Sequence, residues 1–212
     1  MELSVVIETL ENGDKQKIQE MIQESLDEGM KAYEIVNEKL IAAMNDIGKR
    51  FRENILFVPE VLIAARTMNS ALEMLAPYLS AGEAISKGKV LLGTVKDDLH
   101  DIGKNLVGMM FKSGGFEVID IGIDVPMEKF IEGVKEHKPD ILAMSALLTN
   151  TLHQMEVVIQ GLERENLREQ VIVMVGGAPV SEEFAKSIGA DGFAPDAASA
   201  VEVARKLLGA KN

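Results

Sequence analysis

The 212-residue sequence contains three histidines, His100, His137 and His153, and no cysteine. Disulfide frameworks, thiolate zinc sites, iron–sulfur clusters and cysteine nucleophiles are therefore excluded, and a histidine-rich metal site is nearly so. Any metal has to be held by carboxylates or has to arrive already wrapped in its own ligands. Of the three imidazoles, His100 stands in the most chemical surroundings. Asp98-Leu99-His100 puts a carboxylate two residues before the ring. A carboxylate that accepts from one ring nitrogen fixes the tautomer and frees the other nitrogen as a ligand or base. Gly103 follows three residues later, where a helix is expected to start, and its missing side chain lets a bulky group run alongside. These residues alone give an oriented histidine and no more. His137, in Glu136-His-Lys-Pro139, and His153, near a helix start, read as surface residues, and most of the 12 methionines fall on helical stripes as core filling.

The elements that must position this histidine come in two grammars. Residues 1–80 follow helical periodicity. A short helix is expected near Ser4–Leu10, and a second over Asp14–Glu28 carries Ile18, Met21, Ile22 and Leu26 and stops at Gly29. A third runs from Lys31 through Ile35, Val36, Leu40, Ala43, Met44 and Ile47 to Phe51. A fourth has Pro59 at its first position and closes at Ala76-Pro77 and Gly82. Four helices on short turns predict a small bundle. Residues 81–88 read as a linker, which gives domains at 1–87 and 88–212.

After the linker, β-rich runs alternate with helical stretches: Val90–Val95, Val118–Ile123, Ile141–Ser145, Val171–Val175 and a weaker Gly192–Ala194. The first four are continuously apolar, as for strands buried on both faces of a parallel sheet. Five β-α units in this length predict a flavodoxin-like, doubly wound α/β domain with a five-stranded parallel sheet. Its ligand edge lies at the C-terminal strand ends, between strands 1 and 3. The loops expected there are Lys96–Gly103 and Ser145–Thr151. They bring together His100, three aspartates (Asp97, Asp98, Asp101) and three hydroxyls (Ser145, Thr149, Thr151). The loop after strand 4 adds Gly176 and Gly177, which are expected to let a flat ligand approach.

Charge narrows the partners. With 34 acidic against 22 basic side chains the formal net charge is -12, so nucleic acid is excluded as a bulk partner. No apolar run approaches the roughly 20 residues that span a bilayer, and no basic leader is seen. The expectation is a cytoplasmic protein with no membrane partner.

The longer string Val95-Lys-Asp-Asp-Leu-His-Asp-Ile-Gly-Lys-Asn105 resembles the cobalamin-binding motif of B12-dependent methyltransferases, Asp-x-His-x-x-Gly continued by Lys-Asn. Ser145-x-Leu147 and Gly176-Gly177 fall where that family has its second and third signatures. Phe51 through Pro59, with Ala64-Ala65-Arg66 and Met68, is similar to the family's cap bundle. The likeness covers essentially the whole chain and looks closest to free-standing corrinoid proteins that serve methanol, methylamines, methoxylated aromatics or betaines. The cobalamin module of methionine synthase is a more distant relative.

The resemblance implies that His100 is the lower axial ligand of cobalt in a base-off/His-on cobalamin, that Asp98 tunes it, and that Thr151 extends the relay. It further implies that Asp101, Ile102, Gly103, Ser145, Leu147, Thr149, Gly176, Gly177 and Ala197 line the cofactor crevice, and that Phe51 and Val58 shield the reactive face. The implied chemistry alternates between cobalt(I), which accepts a methyl group, and methyl-cobalt(III), which donates it. One histidine is then enough, because the corrin ring supplies four nitrogens itself.

The residues show no zinc site or pterin-binding barrel that could activate a donor. The resemblance therefore implies separate partners: a substrate:corrinoid methyltransferase, a methylcorrinoid:acceptor methyltransferase (to tetrahydrofolate or coenzyme M) and a reductive activator. A non-catalytic B12-binding regulator and a cobalamin-dependent mutase subunit are the alternatives. A phosphoreceiver is disfavoured, because Ser145 and Ala194-Pro195 stand where it needs an aspartate and a lysine.

Overall fold

A computed structural model describes residues 1–78 and 87–211. The chain divides into two compact units, Met1–Ser86 with Lys112–Gly115, and Lys87–Phe111 with Phe116–Asn212. The expected linker lies outside the described residues except for Lys87 and Gly88, and so does the expected stop at Gly82.

The first unit is the four-helix bundle. Helix α1 (Leu3–Glu11) buries Val6 and Leu10, and α2 (Lys15–Asp27) buries Ile18 and Ile22. The Asp14 side chain caps α2 by accepting from the Lys17 N–H at 2.9 Å, and Gly29, with φ +88°, takes the left-handed turn that ends it. The third rod departs from the expected regular helix. It opens as α3 (Ala32–Glu34), widens into a π-helical stretch over Ile35–Leu40 and continues as α4 (Ile41–Arg52). Ile35, Val36, Leu40 and Ile41 are all buried, a broader apolar stripe than regular α periodicity turns inward, and the π turn accommodates it. Helix α5 (Val58–Leu75) begins one residue earlier than Pro59 suggests. Glu60 reaches back to accept from the Phe57 N–H at 2.6 Å, which satisfies a free donor, and proline is tolerated in this first turn because its position needs no intrahelical donor. Helix α1 packs on α4 and α5, and α2 packs on α5.

The second unit has the expected five-stranded parallel sheet. Its strands are β1 (Lys89–Thr94), β2 (Glu117–Asp120), β3 (Ile141–Ser145), β4 (Ile172–Gly176) and β5 (Gly192–Ala194), in the order β2-β1-β3-β4-β5. Each strand is followed in turn by a helix: α6 (Ile102–Ser113), α7 (Met127–His137), α8 (His153–Arg164), α9 (Glu182–Ser187) and α10 (Ala197–Lys211). One expectation fails at β2. The strand ends at Asp120 rather than Ile123, and its residues are exposed or only half-buried. It is an edge strand, paired on one side only, so its apolar run does not signify burial on both faces.

Alternation along β1 sends neighbouring residues to opposite helical layers. Leu91 meets Gly133 of α7, while Leu92 meets Gly108 of α6. The core between the sheet and α7–α8 is built from Leu91, Phe130, Leu142, Met144, Met155 and Val158. Because β1 and β3 are neighbours, their last residues Thr94 and Ser145 lie side by side, and Ser145 pairs in turn with Gly176. The loops that carry the candidate site therefore leave the sheet from adjacent positions. Among the described residues, no helix is long and apolar enough to cross a membrane.

Gly93 lies under α7, and a Cβ there would stand 2.9 Å from the buried Phe130 ring. Gly93→Ala is expected to destabilise the α/β unit by about 1–3 kcal/mol through overpacking. The chain has no tryptophan, so denaturant unfolding followed by circular dichroism is the suitable measurement.

Candidate functional site

Asp98 is the centre of the loop after β1. Its side chain is fully buried and its two oxygens are saturated with donors. Oδ1 accepts from the His100 main-chain N–H at 3.1 Å and faces His100 Nδ1 at 2.6 Å. Oδ2 accepts from the Leu147 N–H at 2.7 Å, the Leu148 N–H at 3.2 Å and the Thr151 hydroxyl at 3.0 Å. Burial by itself raises a carboxyl pKa. The donors from Leu147, His100 and Thr151 outweigh that and hold Asp98 well below the usual carboxylate range. Asp98 is thus ionised at neutral pH and fixes the tautomer of the neutral imidazole, with the proton on Nδ1 facing Oδ1 and the lone pair on Nε2. The imidazole is 48% exposed, so that lone pair is presented at the surface.

The other expected residues divide into groups. Thr151 is buried, and its hydroxyl, besides meeting Asp98, is held near the Leu148 carbonyl at 2.9 Å. Asp101 accepts the Asn105 side-chain amide at 3.1 Å, which stabilises the first turn of α6. Ser145 ends β3, and its carbonyl accepts the Val95 N–H. Thr149 is exposed in the β3–α8 loop, whereas Ala197 is buried at the start of α10. Phe51, partly buried, and Val58, exposed, belong to the helical unit. His153 is exposed, and His137, the last residue of α7, is partly buried.

The glycines differ from expectation in an informative way. At Gly103 a Cβ would meet open space. At Gly177, with φ +133°, it would stand 1.8 Å from the Ala146 carbonyl oxygen, and at Gly176 it would lie 3.1 Å from the Ala194 carbonyl oxygen. The absent side chain at 177 thus lets the loops after β3 and β4 close on one another, and the one at 176 sits where the last residues of β4 and β5 pair. The room expected for a ligand is found at Gly103.

At this edge Ile102 and Leu147 are expected from the resemblance, whereas Leu99, Ile123 and Leu148 carry no signal in the sequence. The α/β unit exposes five large apolar side chains among the described residues: Leu99, Ile102, Ile123, Leu147 and Leu148. All five lie at the C-terminal ends of β1, β2 and β3, and Leu99 and Ile102 are 69% and 75% exposed. Such clustering marks a site that takes an apolar partner. The helical unit has its own exposed group at Ile55, Phe57 and Val58. Leu147 and Leu148 also act through main-chain N–H groups, which any residue type could supply.

The donor set discriminates between kinds of metal. Among the described residues, no group of three or more His, Cys, Asp or Glu side chains is placed to hold a bare ion. One imidazole nitrogen on an apolar ledge fits a metal that brings an equatorial ring of its own, and a large flat macrocycle fits the exposed leucines and isoleucines around it.

Residues 88–204 match the B12 binding domain family, and residues 5–76 match a second family described as a B12 binding domain. Dimethylamine corrinoid protein 1 of Methanosarcina acetivorans is 46% identical over 82% of this chain and 83% of its own. A corrinoid protein of Desulfitobacterium hafniense is 40% identical over 93% of each chain. Among solved structures, a cobalamin-binding protein from Desulfitobacterium hafniense superposes with a TM-score of 0.83 at 31% identity, over 97% of this chain and 98% of that one. The methanol:cobalamin methyltransferase complex of Methanosarcina barkeri gives 0.84 at 25% identity, over 96% of this chain and 78% of that one.

Asp98→Asn places an amide N–H₂ among groups that are all donors. The expected cost is about 2–3 kcal/mol of stability at neutral pH. The wild-type carboxylate has a folded pKa below its unfolded value of 3.8. Its stabilisation is therefore complete above that value and lost as pH falls through it towards the folded pKa. The variant should lack this acid-side slope, which denaturant melts between about pH 2 and 6 measure.

Proposed function

The chain belongs to the B12-binding family of corrinoid proteins, and from that premise we propose that it is a methyl carrier, binding cobalamin base-off/His-on and passing a methyl group between two partner enzymes. The observation that carries this reading is the exposed Nε2 of His100 on a ring locked by a buried, ionised Asp98. The bound corrinoid supplies the cobalt centre that accepts and releases the methyl group. His100 Nε2 is the one protein ligand to the metal. Asp98 Oδ1 holds the proton on Nδ1 and so makes Nε2 the nitrogen that faces the metal. Thr151 donates to Asp98 Oδ2 and stabilises the negative charge that makes the imidazole a stronger donor. Leu99, Ile102, Leu147 and Leu148 offer the apolar ledge for the ring. Asp101, Gly103, Ser145, Thr149, Gly176, Gly177 and Ala197 would border the crevice for the displaced nucleotide tail.

The partners in this reading are a substrate:corrinoid methyltransferase, a methylcorrinoid:acceptor methyltransferase and a reductive activator. The relatives named for dimethylamine and the methanol:cobalamin methyltransferase complex support the first of these. The methyl donor is then selected by the partner enzyme. Methyl transfer from methanol, methylamines, methoxylated aromatics or betaines in the presence of candidate partners identifies it.

Reconstitution with cobalamin should give a coloured protein with a His-on visible spectrum, and His100→Ala should bind corrinoid without that spectrum. An unchanged spectrum in the variant sinks the ligand assignment, and a protein that stays colourless ends the cobalamin reading. Thr151→Val, which keeps the shape and removes the hydroxyl, should weaken cobalamin binding or methyl transfer by about 10- to 100-fold. The size of that loss is read by titration and by single-turnover transfer.

A further inference from the structure

The end of β2 and the loop after it play no part in the reading above, yet they hold the His100 loop and the first turn of α6 behind it. At the near end the bonds are reciprocal. The Asp97 N–H donates to Asp124 Oδ1 at 2.7 Å, and the Asp124 N–H donates to the Asp98 carbonyl at 3.0 Å. At the far end, Lys104 lies in the first turn of α6 with its side chain 3% exposed. Its ammonium donates to Asp120 Oδ2 and, at 2.8 Å, to Asn105 Oδ1. Asp120 Oδ1 accepts the Gly122 N–H at 2.9 Å, which braces the gripping loop itself. Between the two ends, the Thr94 hydroxyl donates to the His100 carbonyl at 2.9 Å, and the main chain of Thr94 bonds to Gly122 and Val125.

Asp97 and Asp124 both have left-handed backbones, with φ of +66° and +53°. Aspartate enters this region more readily than most residues, but at a cost. Two such residues bonded to each other persist because the surrounding bonds over-determine them. Asp98 is consequently held from both sides. Its carboxylate is tied to the loop after β3, and its main chain is tied to the loop after β2. His100 is two residues further on and takes its position from that double anchorage.

We propose that Asp124 is a positioning residue for the axial histidine, acting through the main chain of Asp97 and Asp98. This rests on His100 being the cobalt ligand. Without the Asp124 carboxylate, the Asp97 N–H loses its acceptor, and of the reciprocal pair only the Asp124 N–H bond to the Asp98 carbonyl remains to hold the peptide from the β2 side. The imidazole can then pivot about Asp98 Oδ1 and lose its alignment with a metal above Nε2. Asparagine in place of Asp124 supplies the same acceptor oxygen and tolerates the same φ. Glycine tolerates the φ and supplies no acceptor, and alanine does neither.

The test compares full-length wild type with Asp124→Asn, Asp124→Gly and Asp124→Ala, each titrated with hydroxocobalamin at neutral pH. Affinity and the fraction with a His-on visible spectrum are recorded, and thermal melts by circular dichroism report on folding. Asp124→Gly should bind about tenfold more weakly, the equivalent of one lost charge-assisted bond, and should show a reduced His-on fraction. Asp124→Asn should stay within about twofold of wild type by the same measure. If glycine leaves both affinity and spectrum at wild-type values, the inference is overturned. The same holds if asparagine is as impaired as glycine. The glycine and asparagine variants keep the comparison valid should alanine fail to fold. A wild type that binds cobalamin without any His-on spectrum overturns the proposed ligand itself, an outcome distinct from silent variants on a His-on wild type.

Discussion

A buried carboxylate that must remain charged organises this molecule's C-terminal sheet edge. An unpaired ionised group in a protein interior costs several kcal/mol, and the cost falls only when its lone pairs are occupied by donors. Asp98 meets that condition with main-chain N–H groups from His100, Leu147 and Leu148, the Thr151 hydroxyl and the His100 ring. Satisfying it fixes the path of the β3–α8 loop, because Leu147 and Leu148 have to aim their amides at one oxygen. It also fixes the histidine tautomer, because the second oxygen faces Nδ1 and leaves Nε2 for other work. A structural demand and a chemical one are thus met by the same set of bonds.

The sheet topology makes this possible. With β1 and β3 adjacent and their connections running to opposite helical layers, the loops after them diverge and leave a crevice at their shared end. Residues from the loops after β1 and β3 can therefore meet around one carboxylate although about 50 positions separate them in the chain. The same edge is where the α/β unit exposes its large apolar side chains. Elsewhere among the unit's described residues such side chains are buried or half-buried, so their exposure at one place is the mark of a surface meant to be covered. The glycines share the labour unequally. Gly177 admits the Ala146 carbonyl and closes the protein on itself, while Gly103 leaves open space beside α6.

Much of this is legible without coordinates. The helical bundle and the five-stranded parallel sheet follow from periodicity, and β3 and β5 fall on the expected residues, because buried strands and amphipathic helices write their burial into residue order. What periodicity misreads has a cause in each case. The β2 run is apolar yet lies on the sheet's edge, since an apolar run records hydrophobicity and not the number of neighbours. The π stretch at Ile35–Leu40 is hidden because the stripe of apolar residues is continuous through it, and only the turn-by-turn hydrogen bonding differs.

The site divides along the same line. Residue order alone determines that there is no cysteine chemistry, that His100 follows Asp98 by two, and that Gly103 and Lys104 open the next helix. Those facts give an oriented histidine, and the kind of group it meets comes from the resemblance of the longer Val95–Asn105 string, which is legible because a motif in one loop is local. Only the tertiary structure decides that Asp98 is ionised, because its partners on Leu147 and Leu148 are backbone amides that leave no trace in side-chain identity. Likewise, Gly177 serves loop closure, and Asp124 meets Asp97 across 27 positions. Contacts of that kind are set by how the strands are ordered in space, and strand order is a property of the folded chain as a whole.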